Sequence, residues 1–131
     1  MSIETIKWVN GHVRIIDQRK LPAKLEYINC KDIRTLWKAI RTLSVRGAPA
    51  LGVAAAFGVL LGMKNFKGSD RKRFEKKIQS VCDYIATSRP TAVNLFNALG
   101  EMKAVVSAHP QSPVSELRKE LEQKAGEIFT T

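Results

Sequence analysis

Two short segments of the chain place an arginine directly before the expected start of a helix. The first is Val45-Arg46-Gly47-Ala48-Pro49-Ala50 and the second is Ser88-Arg89-Pro90-Thr91-Ala92. A helix start offers unpaired backbone N–H groups and a partial positive charge, and both favour a bound phosphate. A guanidinium beside it adds bidentate hydrogen bonds, and a glycine lets the backbone come close to a ligand. If the fold brings them together, the two segments form a phosphate or sugar-phosphate site; otherwise they are ordinary loops with surface arginines.

Acid–base or nucleophilic machinery has no comparable pattern in the sequence. The carboxylates are scattered over expected helix faces, and no Ser, Cys or His lies at a recognisable spacing from an activating neighbour. We expect Asp17 and Asp83 to cap a helix or to pair locally. Cys30 and Cys82 are too few and too far apart for a disulfide scaffold, and no metal-ligand spacing is present, so we expect reduced packing residues. The residues alone predict a binding domain without a catalytic centre.

A basic stretch between residues 64 and 77 carries half of the formal net charge of +10. Its seven cations are Lys64, Lys67, Arg71, Lys72, Arg73, Lys76 and Lys77, against Asp70 and Glu75. Such a stretch could bind nucleic acid. Aromatic residues for base stacking are limited to Phe66 and Phe74, and Phe74 also fits the apolar face of its own helix. We therefore favour a solvated helix face and do not expect a nucleic-acid partner.

The first thirty residues predict a small antiparallel sheet. Strands at about Ile6 to Val9 and His12 to Ile16 flank Asn10-Gly11, a strong hairpin signal. A third short strand is predicted over Leu25 to Asn29, where apolar and polar residues alternate.

Helical periodicity covers the rest of the chain. The predicted helices run from Asp32 to Leu43, from Ala48 or Pro49 to Met63, from a cap at Ser69 or Asp70, from near Pro90-Thr91, and from Ser112-Pro113. The second is rich in Gly and Ala, so we expect it to be central and buried among close neighbours. The fourth is predicted to bury Leu95, Phe96, Leu99 and Met102. The fold class is therefore α+β, mainly α, with about five helices after a small antiparallel hairpin or sheet.

The length of 131 residues suits one domain. The most apolar stretch, Ala48 to Met63, is shorter than the roughly 20 residues of a membrane span, and the N-terminus does not look like a signal peptide. We expect a cytoplasmic protein. The apolar pattern of the last helix still continues at Ile128 and Phe129, which suggests that the chain is a fragment.

Three segments resemble the methylthioribose-1-phosphate isomerase family, in order and at about the family's spacing. They are Ile16-Asp17-Gln18-Arg19-Lys20-Leu21-Pro22, then Ile40 to Ala56 with its Val45-Arg46-Gly47-Ala48-Pro49-Ala50 run, and Thr87-Ser88-Arg89-Pro90-Thr91-Ala92-Val93-Asn94-Leu95. The arginine-glycine-alanine run recurs across the wider initiation-factor-2B-like superfamily. The run from Ser88 to Leu95 favours this isomerase.

The resemblance implies that residues 1–131 are an N-terminal substrate-docking domain, followed in the family by a Rossmann-like catalytic domain. It implies substrate contacts from Arg46, Gly47, Ala48 and Arg89, no cofactor, and a homodimer for the complete protein. The family's catalytic cysteine and aspartate belong to the second domain, and neither Cys30 nor Cys82 lies in the matching context. This chain is therefore expected to hold no catalytic residue and to be inactive alone.

Two relatives in the same superfamily remain alternatives. One is ribose-1,5-bisphosphate isomerase, and the other is a regulatory subunit of the translation-initiation exchange factor, which binds other subunits.

Methylthioribose-1-phosphate isomerase acts in methionine salvage, interconverting 5-methylthioribose 1-phosphate and 5-methylthioribulose 1-phosphate. The proline after Ala48 favours this enzyme.

Overall fold

A computed structural model describes residues 5–42 and 48–130 of the chain. A three-stranded antiparallel sheet comes first and five α-helices follow, so the mainly helical α+β class is confirmed. In the described part of the chain, none of the helices is both long and apolar enough to cross a membrane.

The sheet has the order β1-β2-β3, with β1 at Ile6–Val9, β2 at His12–Ile16 and β3 at Tyr27–Cys30. The predicted hairpin is confirmed, with Asn10 at φ 49° and Gly11 at φ 80°. Two consecutive positive φ angles are what a two-residue hairpin loop needs, and Asn-Gly adopts them readily. The third strand begins two residues later than predicted.

The five helices are α1 (Ile33–Arg41), α2 (Ala48–Met63), α3 (Arg71–Ala86), α4 (Val93–Ala108) and α5 (Val114–Thr130). Side-chain caps fix two of the starts. The carboxylate of Asp32 accepts a hydrogen bond from Thr35 N at 2.8 Å, and that of Asp70 accepts one from Arg73 N at 3.2 Å. Of the two predicted caps for α3, Asp70 is therefore the one used.

Helix α2 is the centre of the molecule, as predicted. Most of its side chains from Leu51 to Met63 are buried, and it packs against the sheet and all four other helices. Its glycines make this possible, because a β-carbon at Gly58 would lie 2.9 Å from Ile85 Cδ1. Small residues let helix axes approach closely, and a helix that is apolar all round belongs inside a core.

Two expectations for α4 are wrong. The helix begins at Val93 rather than near Pro90-Thr91, because residues 87–91 form turns. Leu95, Leu99 and Met102 are buried as predicted, but Phe96 is 43% exposed. The buried stripe continues through Ala98, Val105 and Val106, and Phe96 lies one residue, about 100° of helix rotation, from Leu95.

Candidate anion-binding site

The start of α4 lies against the second turn of α2. A β-carbon at Gly52 would lie 3.4 Å from the backbone oxygen of Asn94 and 3.9 Å from Ala98 Cβ. Helix α3 runs antiparallel to α2, since Gly58 faces Ile85 and Gly62 faces Val81. A short turn then reverses the chain into α4, so α2 and α4 point in the same direction. The two helix starts singled out from the sequence therefore meet at one end of the domain.

The start of α4 has no side-chain cap. The N-cap residue is Ala92, whose methyl group cannot accept a hydrogen bond from the amides of the first turn. By contrast, α1 and α3 each begin with a capping aspartate. Uncapped N–H groups and the positive end of the helix dipole favour an anion at this position.

Arg89 lies in the turn that leads into α4, and its side chain is partly buried. Its Nη1 atom is buried and has no hydrogen-bond partner among the described residues. Removing a guanidinium N–H group from water without giving it an acceptor is unfavourable. An acceptor such as a phosphate oxygen would remove that cost.

The turn that carries Arg89 is fixed from both sides. The hydroxyl of Ser88, a fully buried residue, donates to Ile85 O at 2.6 Å. The indole Nε1 of Trp37 on α1 donates to Tyr84 O at 3.1 Å and to Thr87 Oγ1 at 2.9 Å. The Trp37 ring also stacks on the Tyr84 ring, with centroids 5.9 Å apart. This contact was not predictable from the sequence, since periodicity places Trp37 on the apolar face of α1 but does not reveal where its N–H points.

The other predicted site residues are described only in part. Arg46 and Gly47 lie outside the described residues. Ala48 is the first residue of α2, which agrees with the predicted helix start. Thus the structure brings Arg89 to the end of the domain where α2 begins.

Asp17 and Asp83 both pair locally, as expected. The Asp17 carboxylate is 3% exposed and accepts from Arg19 Nε at 2.9 Å and Nη2 at 2.8 Å, as well as from Arg19 N. The hydrogen bonds from the Arg19 side chain hold the pKa of Asp17 below its ordinary value. Asp83 accepts from Gln79 Nε2 at 2.8 Å. Neither carboxylate is presented as a free general base.

Both cysteines are buried free thiols, which confirms the prediction of reduced packing residues. Burial raises the pKa of Cys30 to about 12 and that of Cys82 to about 11. A thiol attacks as the thiolate, so neither group is activated at neutral pH. Within the described residues, no three Cys, His, Asp or Glu side chains are grouped so that they could hold a metal ion.

Two cations of the basic stretch have structural partners. Arg71 donates from Nη1 to His109 O and Ser112 O, both at 2.6 Å, and from Nη2 to Val106 O at 2.9 Å. Lys64 Nζ donates to Gly11 O and Lys31 O. These two side chains hold loops in place, whereas Lys72, Arg73, Lys76 and Lys77 are exposed on α3.

The comparison with protein families decides where the chain belongs. A family model described as "Initiation factor 2 subunit family" matches residues 44–131, which include both arginine-bearing helix starts. The chain belongs to the initiation factor 2 subunit family. The superfamily resemblance noted in the sequence is thereby confirmed.

Curated relatives include sugar-phosphate isomerases. A methylthioribose-1-phosphate isomerase from Desulforamulus reducens is 42% identical over 127 residues, covering 97% of this chain and 37% of the relative. A 5-deoxyribose 1-phosphate isomerase from Bacillus cereus is 43% identical over 123 residues, covering 94% of this chain and 35% of the relative. This member of the family therefore spans little more than a third of the length of these relatives.

Two solved structures share the fold. The 5-methylthioribose 1-phosphate isomerase from Pyrococcus horikoshii superposes with a TM-score of 0.89 at 34% identity, covering 95% of this chain and 35% of that one. The delta subunit of translation initiation factor eIF-2B from A. fulgidus superposes with a TM-score of 0.85 at 35% identity, covering 97% of this chain and 36% of that one. The family thus includes both enzymes and an initiation-factor subunit on this architecture.

Proposed function

We propose that this chain is the sugar-phosphate-holding part of an aldose–ketose isomerase. The substrate pair is 5-methylthioribose 1-phosphate and 5-methylthioribulose 1-phosphate. The phosphate of the substrate binds where α2 and α4 begin, and Arg46, Gly47, Ala48 and Arg89 are the substrate contacts that the family resemblance implies. The names of the relatives from Desulforamulus reducens and Pyrococcus horikoshii support this choice of substrate.

One observation carries the proposal: Arg89 Nη1 is buried without a hydrogen-bond partner among the described residues, and it belongs to the turn before an uncapped helix start that packs near the start of a second helix. Each helix end contributes N–H donors and a partial positive charge, and the guanidinium contributes a full charge. A phosphate is a good match because it carries several acceptor oxygens and a negative charge. It would satisfy groups that the described residues leave without partners.

The proposed reaction needs groups that the described residues do not supply. The bond between C1 and the ring oxygen breaks as hydrogen moves from C2 to C1, while the C2 hydroxyl becomes a carbonyl and its proton passes to the released ring oxygen. This requires a placed acid and base in a site that excludes water. Asp17 is already paired with Arg19, and both thiols are buried and protonated. We therefore propose that the 131-residue chain binds the sugar phosphate without converting it, and that the chemistry belongs to the part that the longer relatives have in addition.

Calorimetric titration of the 131-residue chain with 5-methylthioribose 1-phosphate tests the binding. Arg89→Ala should raise Kd at least tenfold, because a charge-assisted hydrogen bond contributes about 1.5–3 kcal/mol. Arg73→Ala is the matched control, since Arg73 is exposed on α3 and the hydrogen bond that it donates to Asp70 comes from its backbone N–H, which the variant keeps. Absence of binding to the wild-type chain, or equal losses in the two variants, would contradict the proposal.

A regulatory role is the second candidate, favoured by the likeness to the eIF-2B delta subunit from A. fulgidus. A chain of that kind would associate with other initiation-factor subunits. Size-exclusion chromatography with such subunits, beside the sugar-phosphate titration, separates the two roles. Complex formation without sugar-phosphate binding would favour the regulatory subunit. Tighter binding of ribose 1,5-bisphosphate than of 5-methylthioribose 1-phosphate would favour a ribose-1,5-bisphosphate isomerase.

A further inference from the structure

Helix α1 runs parallel to α3 and ends at the same end of the domain. Near the start of α1, Ile33 Cδ1 lies 3.0 Å from the β-carbon position of Gly62, which also faces Val81 of α3. One turn later, Trp37 contacts Tyr84 and Thr87, at the end of α3. Both helices thus advance together toward the turn that carries Arg89.

Arg41 is the last residue of α1 and lies four residues beyond Trp37. Residues four apart are neighbours on one helix face, about 6 Å apart. Since Trp37 lies level with Tyr84 and Thr87, Arg41 lies about one helical turn farther toward the end of the domain at which the turn after α3 carries Arg89. Its side chain is exposed.

Two guanidinium groups therefore share the end of the domain where α2 and α4 begin. Within the described residues, neither Arg41 nor Arg89 has a carboxylate within ion-pair distance, whereas Arg19 and Arg71 each have one. Like charges without a counterion raise the local positive potential and favour an anion between them.

We propose that Arg41 is a further binding residue of the sugar-phosphate site, contributing a guanidinium to the phosphate from the α1 side. The inference rests on the proposed function, because it assumes that the phosphate lies at this end of the domain. It adds a third helix to the site, so α1 supplies a cation while α2 and α4 supply their N–H groups. The contact between Trp37 and Thr87 keeps α1 in register with the turn.

Inorganic phosphate is the probe, titrated into the isotope-labelled 131-residue chain at low ionic strength and followed by NMR. Arg41→Gln should raise Kd about threefold to tenfold, as expected for one charged contact at a partly exposed site. Arg34→Gln removes the same charge from an exposed position of the same helix, about 10 Å farther from this end, and should change Kd less than twofold. Arg41→Lys keeps the charge and should recover part of the lost affinity.

Equal effects of Arg41→Gln and Arg34→Gln would overturn the proposal, since only the overall charge would then matter. It also fails if Arg41→Lys binds as weakly as Arg41→Gln. If Arg89→Ala weakens phosphate binding while Arg41→Gln does not, Arg41 is no binding residue but the proposed function stands. If neither variant changes Kd, both proposals fail. Circular dichroism of each variant confirms that it remains folded.

Discussion

Gly62 and Val81 bring α2 and α3 into direct contact: a β-carbon at Gly62 would lie 2.6 Å from Val81 Cγ1 and 2.9 Å from Cγ2. No ordinary packing contact is that short, so this position admits a hydrogen atom only. The same glycine also lies against Ile33, so it sets the spacing of three helices.

Gly62→Ala should destabilise the fold by about 1–3 kcal/mol, because the added methyl group forces α3 or α1 to move. Urea unfolding followed by circular dichroism measures this. Gly100→Ala is the matched control, since Gly100 is also helical but nothing lies within 4 Å of its β-carbon position. That variant should gain up to about 1 kcal/mol from helix propensity. If both variants lost a similar amount of unfolding free energy, close packing at Gly62 would not explain the effect.

Arg71→Ala should destabilise the chain by about 2–4 kcal/mol, because three backbone carbonyls between Val106 and Ser112 lose a charged donor. Thermal unfolding checks this, with Lys72→Ala as the neighbouring exposed control, expected to lie within about 0.5 kcal/mol of the wild type. If Arg71→Ala melts like Lys72→Ala, Arg71 belongs to the solvated face with the other cations.

Asp17→Asn should destabilise the fold most above pH 3.8, the ordinary pKa of the group. Hydrogen bonds from Arg19 lower the folded-state pKa, so the folded protein releases this proton more readily than the unfolded chain. The stabilisation is fully present above the unfolded pKa and is lost as pH falls through the folded pKa. The difference in Tm between the wild-type chain and Asp17→Asn should therefore shrink as the pH falls below 3.8. A constant difference in Tm would show that the carboxylate charge does not matter.

Cys30 and Cys82 should resist iodoacetamide at pH 8 in the native chain. Their raised pKa values leave roughly one thiol in a thousand or fewer ionised, and both side chains are buried. Mass spectrometry should find two alkylated cysteines after unfolding in guanidinium chloride. Rapid labelling of either thiol in the native state would contradict the burial described for it.

Local features of the fold could be predicted from the sequence because neighbouring residues decide them. Asn10-Gly11 supplies the two positive φ angles of its hairpin, and Asp70 reaches the amide of Arg73 three residues later. The apolar stripe of α3 needs only the helical period, and the five apolar residues at that spacing are all buried: Phe74, Ile78, Val81, Cys82 and Ile85.

Features set by distant residues were not predictable in the same way. Phe96 is apolar and adjacent to the buried stripe, yet its exposure depends on where α2 and α5 lie around α4. The meeting of the α2 and α4 starts depends on Gly52 packing against Asn94, which are 42 positions apart. Likewise, the bond from Trp37 to Thr87 spans 50 positions. The residue types of the candidate site could be read from the sequence, but their proximity could not.

The shared direction of α2 and α4 links the stability of the domain to the solution around it. Two parallel dipoles side by side repel each other, and the positive ends of α2 and α4 lie beside Arg89, where the C-terminal ends of α1 and α3 offset only part of that repulsion. An anion held there offsets that repulsion in the folded chain only, so it stabilises folding by RT ln(1 + [L]/Kd), about 1.4 kcal/mol at roughly ten times Kd. If phosphate binds there as proposed, the melting temperature of this domain depends on phosphate concentration, and phosphate-free and phosphate-containing buffers should give two different stabilities for one sequence.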